Sequence, residues 1–321
     1  MTDFRPHPLF PTGHLQTLAG IYLPRRVHKE TARQHRVILP DRDQIILHDD
    51  CPADWQPGDR TALLIHGLCG CNASPYMQRI AAKLNDGGVR TFRMDLRGCG
   101  AGLGLARLPY HSGRSEDAAA ALRRIAEICP ESSTTLIGFS LGGNITLKLL
   151  GESPADLPAN LDRAVAVCPP VDLAECVRTL ARGVNRLYDR HFIRLLVEQV
   201  ASQRRLVPDA PALDRKKRPR GVYEFDDAFT APVCGFGTAD NYYRLCSSNQ
   251  FVPEIRVPTL ILAAADDPLI PGEVFTRLAV PPGVKMVLTG SGGHLGFIGR
   301  RNGDPDRRWM DWRVVEWTVQ P

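Results

Sequence analysis

The chain has 321 residues, 43% of them hydrophobic, with 40 basic against 35 acidic side chains and a formal charge of +5. That content supports a sizeable core, in one large α/β domain or two modest ones, and excludes a disordered chain. The mild, dispersed charge does not suggest nucleic-acid binding, and no stretch approaches the roughly 20 apolar residues that a membrane-spanning helix needs.

Met1-Thr2-Asp3-Phe4-Arg5-Pro6 lacks an apolar signal core, and nine scattered cysteines form an odd set in a chain that needs no staples at this size. A soluble, cytoplasmic protein with reduced thiols is expected. In chain order, residues 37–39, 44–47, 62–65 and 91–94 are β-branched or apolar runs between Asp, Pro and Gly clusters, and they read as four early strands. Ile80, Ala81 and Leu84 share one face of a predicted helix over 76–84, as Leu122, Ile125 and Ile128 do over 115–128. Residues 133–137 read as a short buried strand. Ile145, Leu149 and Leu150, with Leu141 one turn back, then follow helical spacing. Further strands are predicted at 164–167, 259–262 and 285–288. Residues 309–319 read as a closing helix, although their Trp, Val and Thr content leaves a strand open. Strands that alternate with helices predict the α/β class, with a mostly parallel sheet covered on both faces.

The stretch from Asp172 to about Pro253 breaks this rhythm with an amphipathic piece over 192–200, a polar run over 214–220 and an aromatic segment over 223–243. An insertion of that length is expected to be a lid over a ligand site. The expected division is therefore an amino-terminal extension (1–35), a core (36–171 and 254–321) and a lid or cap (172–253). Phe192, Leu195, Phe225, Phe229 and Tyr242 either line an acyl pocket or form the lid's own core. The basic run 215–220 reads as a solvated surface, with a localisation signal or contact with acidic lipid headgroups as the alternatives.

The chemistry centres on Gly138-Phe139-Ser140-Leu141-Gly142. Between a strand and a helix, glycines two residues either side of a serine let neighbouring backbones pass close to a strained turn that exposes the hydroxyl. Such a hydroxyl needs a base to take its proton and a carboxylate to orient that base. Asp266 and Asp267 follow a predicted strand at the carboxyl edge of the sheet, and His294 ends the turn Gly290-Ser291-Gly292-Gly293-His294 after the last strand. Asp267 is favoured, four residues before Pro271, because one of two adjacent carboxylates should turn away from the other. His7, His14, His28, His35, His48 and His191 lack a turn at a strand end. His66 is expected to shape a loop, and His111 is the runner-up base. Backbone N–H donors for an oxyanion are expected from Leu141 at the helix start and from Leu68 in His66-Gly67-Leu68-Cys69-Gly70.

Cys69, Cys71 and His66, even with Cys99, lack the paired spacing of a zinc knuckle, and no cysteine occupies the turn that Ser140 holds. The glycine-rich residues 98–104 open no clear helix and lead to no acidic ribose partner, so a flexible turn near the site is expected. No metal and no cofactor is implied.

With these residues in hand, the chain resembles the α/β-hydrolase superfamily, and more narrowly its YheT-like branch of predicted carboxylesterases. The narrower resemblance lies in Pro8-Leu9-Phe10-Pro11, Gly13-His14-Leu15-Gln16-Thr17, His66-Gly67-Leu68, Asp95-Leu96-Arg97-Gly98, the Ser140 turn with Gly143-Asn144, Asp266-Asp267-Pro268 and Gly292-Gly293-His294. It implies an eight-stranded hydrolase sheet, a lid and cofactor-free cleavage of carboxylic esters, with some relatives acting on phospholipids or passing medium-length acyl groups to alcohols. The short amino-terminal segment and the thiols of Cys69 and Cys71 depart from that pattern. The resulting expectation is a serine esterase of lipid metabolism acting on a small-molecule ester, short to medium in its acyl chain, through an acyl-enzyme on Ser140 with Asp267 and His294. Peripheral lipid contact is open to it. The alternatives are an acyltransferase to an alcohol or thiol, and a non-catalytic binding protein on the same scaffold.

Overall fold

The computed structural model describes residues 3–23, 32–214, 216, 218–301 and 303–320. His28, and Arg215 and Lys217 of the basic run, lie outside the described residues. Eight strands form one sheet: β1 (Arg33–Ile38), β2 (Gln44–Asp50), β3 (Thr61–Ile65), β4 (Arg90–Asp95), β5 (Thr134–Phe139), β6 (Leu161–Val167), β7 (Thr259–Ala264) and β8 (Val284–Thr289). Their order across the sheet is β1-β2-β4-β3-β5-β6-β7-β8. The hairpin β1-β2 and the β2-β4 pair are antiparallel, and every later pairing is parallel. All residues of β3, β5 and β7 are buried, as parallel strands covered on both faces require.

The helices are α1 (Gly13–Tyr22), α2 (Pro75–Asp86), α3 (Ser115–Ile128), α4 (Leu141–Glu152), α5 (Leu173–Leu180), α6 (Arg186–Leu206), α7 (Val222–Phe225), α8 (Ala231–Val233), α9 (Ala239–Cys246), α10 (Glu273–Thr276) and α11 (Trp309–Val319). Pro75 opens α2, where its missing N–H costs nothing, and Glu116 and Asp117 sit in the first turn of α3, where the helix dipole favours negative charge. Residues 172–253 hold α5 to α9 and, among the described residues, no strand. No helix among the described residues is long and apolar enough to cross a membrane.

Two elements run well beyond the sequence expectation, each for a physical reason. β1 starts at Arg33 rather than 37, because an edge strand buries only alternate residues and its polar half carries no apolar signal. The helix expected over 192–200 runs from 186 to 206 as α6, its flanks being largely exposed, with arginines at 186, 190, 204 and 205 and leucines at 187 and 206. Residues 309–319 form the expected closing helix rather than a strand: Trp309, Met310, Arg313 and Val314 point inward at spacings of one and four residues, which a strand cannot provide.

One buried charge ties the first hairpin to the rest. Arg97, just past β4, lies 2.7 Å from Asp117 of α3 and 2.8 Å and 2.5 Å from Asp43 and Asp41 of the β1-β2 turn. Removing one partner of such a network leaves a buried charge uncompensated, at a cost of about 3–5 kcal/mol.

Leu173, Ala239, Tyr242 and Tyr243 form one small core within residues 172–253, and Ile193, Leu196, Val222, Phe225 and Phe229 form a second. Between them Asp226 is buried, accepting the Tyr243 hydroxyl at 2.7 Å, and burial pushes its carboxyl up to about 6 from 3.8. The folded state therefore holds a proton that the unfolded state releases in the window from pH 3.8 to about 6. The stability this group contributes is complete below that window and lost as pH rises through it. Thermal midpoints of the wild type are expected to fall across this range. Asp226→Asn should remove that part of the slope and be the more stable protein at pH 7; an unchanged slope in the variant would assign the proton elsewhere.

Candidate active site

Sheet order reverses between β3 and β5, where Ser140 sits, and the other candidate residues follow the carboxyl ends of β3, β7 and β8. Ser140 follows β5 directly and caps α4 with φ 52° and ψ −121°. The turn is forced by contact. A Cβ on Gly138 would stand 2.2 Å from Gly142 O, and one on Gly142 would stand 2.3 Å from Ile65 O. Ser140 N–H donates to Val167 O, and Ser140 O accepts from Gly143 and Asn144 N–H, so the strained residue is pinned on both sides.

His294 Nε2 lies 2.9 Å from Ser140 Oγ, and His294 Nδ1 lies 2.8 Å from Asp267 Oδ2. A carboxylate only accepts, so Nδ1 carries the ring proton and Nε2 is free to accept from the Ser140 hydroxyl. Asp267 is itself fixed: its Oδ1 accepts the N–H groups of Leu269 at 2.8 Å and Ile270 at 3.2 Å. Asp266 turns away and accepts Gly293 N–H at 2.9 Å. The structure thus brings Ser140, Asp267 and His294 into one hydrogen-bonded chain, with Asp266 outside it.

The loop after β3 is arranged around a single amide. Tyr76 OH accepts Gly67 N–H at 2.8 Å, Tyr110 OH accepts Cys69 N–H at 2.9 Å, and Gly70 N–H donates to Gly67 O. Leu68 N–H, between them, meets no acceptor among the described residues, nor does Leu141 N–H at the start of α4. A Cβ on Gly67 would touch the Ser140 side chain at 3.0 Å, which places this loop against the hydroxyl.

Four other histidines are engaged elsewhere. Buried His66 contacts Gly67 O through Nδ1 at 2.8 Å and accepts Leu96 N–H through Nε2 at 3.2 Å, so it shapes the loop. Burial, with the nearby charges of Arg114 and Arg97, drives His111 well below its usual pKa, and its Nδ1 accepts Gly113 N–H. His35 and His48 pair with Asp49 and Asp95 on the first strands. Residues 98–104 include a short 3₁₀ turn at Gly100–Gly102, with Ala101 N–H donating to Asp95 at 2.9 Å. Burial pushes the Cys69 thiol up to about 12, which leaves it inert as a nucleophile.

Cys168 was not singled out by any sequence pattern, yet its sulfur, an Asp267 oxygen and a His294 nitrogen lie within 4.8 Å of one another. Both His294 nitrogens and both Asp267 oxygens are already engaged, and burial together with the Asp267 charge holds the Cys168 thiol well above its usual pKa. This donor set does not fit a metal ion. Thr17 was also missed as an individual residue. Its hydroxyl accepts His294 N–H at 2.9 Å and donates to Gly13 O at 2.7 Å, fixing the histidine loop to α1. The signal was the stretch 13–17, which carried a resemblance but no spacing that reads as chemistry.

A cavity of about 150 Å³ opens beside Ser140 and His294. Leu173, Val177, Phe192, Phe225 and Phe229 give it an apolar wall, and Tyr242 also reaches it. Leu195 does not line it.

Residues 62–300 match the protein family described as alpha/beta hydrolase fold. The esterase candidate YheT of Escherichia coli strain K12 is 34% identical over 98% of this chain and 92% of its own length. Phospholipase ABHD3 of Mus musculus is 28% identical over 74% of this chain, which spans only 58% of that relative. Among solved structures, the Pyrococcus furiosus esterase Pf2001 superposes with a TM-score of 0.56 at 16% identity, covering 92% of this chain and 97% of the other, a likeness of fold.

The strain at position 140 has a measurable signature. Ser140→Gly is expected to raise stability by about 1 kcal/mol, since glycine adopts positive φ without a Cβ penalty. Gly138→Ala should lower stability by more than that. Denaturant titration of both variants checks the pair, and a destabilised Ser140→Gly protein would show that the turn is not strained.

Proposed function

Because the chain belongs to the α/β-hydrolase family, in its YheT-like branch, we propose that it is a serine esterase of the lipase-like kind, hydrolysing carboxylic esters through an acyl-enzyme on Ser140. The observation that carries this reading is the single ring of His294, held between Asp267 at 2.8 Å and Ser140 at 2.9 Å.

In this mechanism His294 Nε2 takes the Ser140 proton as Oγ attacks the ester carbonyl. The oxyanion that forms is met by the N–H groups of Leu68 and Leu141, each worth about 3 kcal/mol of transition-state stabilisation. The Asp267 carboxylate offsets the charge of the imidazolium. Nε2–H then protonates the departing alcohol, leaving the acyl group on Ser140 Oγ. Water attacks next, giving its proton to Nε2, and the acid is released as Ser140 regains a hydrogen.

The apolar wall from α5 to α7 suits a short to medium acyl chain, and residues 172–253 act in this reading as a lid that keeps water from that chain. Tyr76 and Tyr110 are positioning residues: each ties up one amide beside Leu68 and so aims the third.

A fluorophosphonate probe is expected to label the wild type and to leave Ser140→Ala unlabelled; equal labelling of both would remove Ser140 from the mechanism. A series of p-nitrophenyl esters of increasing acyl length should show a maximum at short to medium chains, and product analysis with added alcohol distinguishes hydrolysis from acyl transfer. Tyr76→Phe and Tyr110→Phe should each lower kcat roughly tenfold with little change in KM. A change confined to KM would contradict their assignment to the oxyanion loop.

A further inference from the structure

α1 has two unlike faces. Gly13, Gln16, Thr17 and Gly20 pack against residues 266 and 292–298, at helical spacing. Leu15, Leu18, Ile21 and Tyr22 face outward, with Ile21 52% and Tyr22 77% exposed, and the helix contains no charged residue. A solvated helix face is ordinarily polar.

This face adjoins a second exposed apolar group. The ring of His14 stacks on that of Tyr188 in α6 with centroids 5.8 Å apart and 3° between the planes, and His14 Nδ1 lies 3.1 Å from Tyr188 OH. Beside Tyr188, Val184 and Leu187 are 64% and 63% exposed. Arg182, Arg186 and Arg190 flank them in sequence, all exposed and making no ion pair among the described residues, whereas Arg178 nearby is paired with Glu175; Arg186 and Arg190 also border a groove shared with Glu224 and Asp240. Leu180 and Phe192, which flank this stretch in sequence, line the cavity at Ser140.

We propose that α1 and the first turns of α6 form a docking surface for a bilayer containing anionic phospholipid. Leu15, Leu18, Ile21 and Leu187 enter the headgroup boundary while Arg186 and Arg190 pair with lipid phosphates. Exposed apolar side chains with unpaired cations beside them in the chain match that boundary on both counts. A second copy of this chain matches it on one only, because the patch offers the arginines no exposed carboxylate: α1 has no charged residue and Asp189 of α6 is buried. The surface stands apart from the chemistry at Ser140, and its consequence is to bring the residues around the cavity against a source of acyl lipid.

Co-sedimentation of the full chain with vesicles tests the surface. Phosphatidylcholine vesicles doped with phosphatidylglycerol should retain the protein about tenfold more strongly than phosphatidylcholine alone, and added salt should weaken the retention. Leu18→Asp with Leu187→Asp, and separately Arg186→Glu with Arg190→Glu, should lose it while still cleaving a short soluble p-nitrophenyl ester at the wild-type rate. That second readout reports folding and the esterase reading independently of lipid. Absence of vesicle binding by the wild type, or equal binding by both double variants, would overturn the proposal. So would a dimer in sedimentation velocity that Leu18→Asp dissolves, since the face would then belong to a second copy.

Discussion

At one rim of the sheet the backbones of β3, β5 and α4 come so close that no side chain fits between them. Glycine at 138 and 142 is the response in the sequence, and positive φ at Ser140 is the response in the conformation. Five of the six non-glycine residues with positive φ among the described residues cluster around this place: Cys69, Ser140, Cys168, Leu295 and Phe297. Strain of this kind persists only where the surroundings over-determine it. Here β5 is paired along its length by β3 and β6, and the loop carrying His294 is clamped by α1. The hydroxyl of Ser140 projects because everything next to it is fixed.

The same rigidity sorts out the protons. Asp267 is committed to two backbone amides and one imidazole nitrogen, so the ring has one tautomer that satisfies its partners. The neighbouring thiol of Cys168 and carboxylate of Asp266 are removed from competition, the first by burial and the second by its bond to Gly293. Selection among amides follows an analogous logic in the loop after β3, where the half-buried Tyr76 and the buried Tyr110 take Gly67 and Cys69 and leave Leu68. Preorganised groups of this sort work because they need not move when charge develops.

The first residues of the chain are structurally continuous with this centre. Gln16 donates to Phe10 O and Ile298 O and accepts from Ile298 N–H, and a Cβ on Gly13 would collide with Asp266 O at 1.8 Å. Stretches 13–17 and 292–296 therefore form one packed unit although some 280 residues separate them. Their small residues matter through contact, which is why hydrophobic periodicity gave no hint of them.

Much of the fold and the candidate site was nonetheless legible. Alternating apolar runs and helical stripes indicated the parallel sheet, because burial on both faces leaves a continuous apolar signature in β3, β5 and β7. Glycine spacing around Ser140, together with strand-end positions for Asp267 and His294, named three residues that the fold sets in hydrogen-bonding contact. The edge strand β1 and the outer turns of α6 were read too short, since exposed positions obey solvation more than periodicity. The tyrosines at 76 and 110, the thiol at 168, the hydroxyl at 17 and the apolar face of α1 were decided by the tertiary structure alone. Local sequence fixes which backbone conformations are affordable, whereas which distant groups share a hydrogen bond depends on how the strands close around one another.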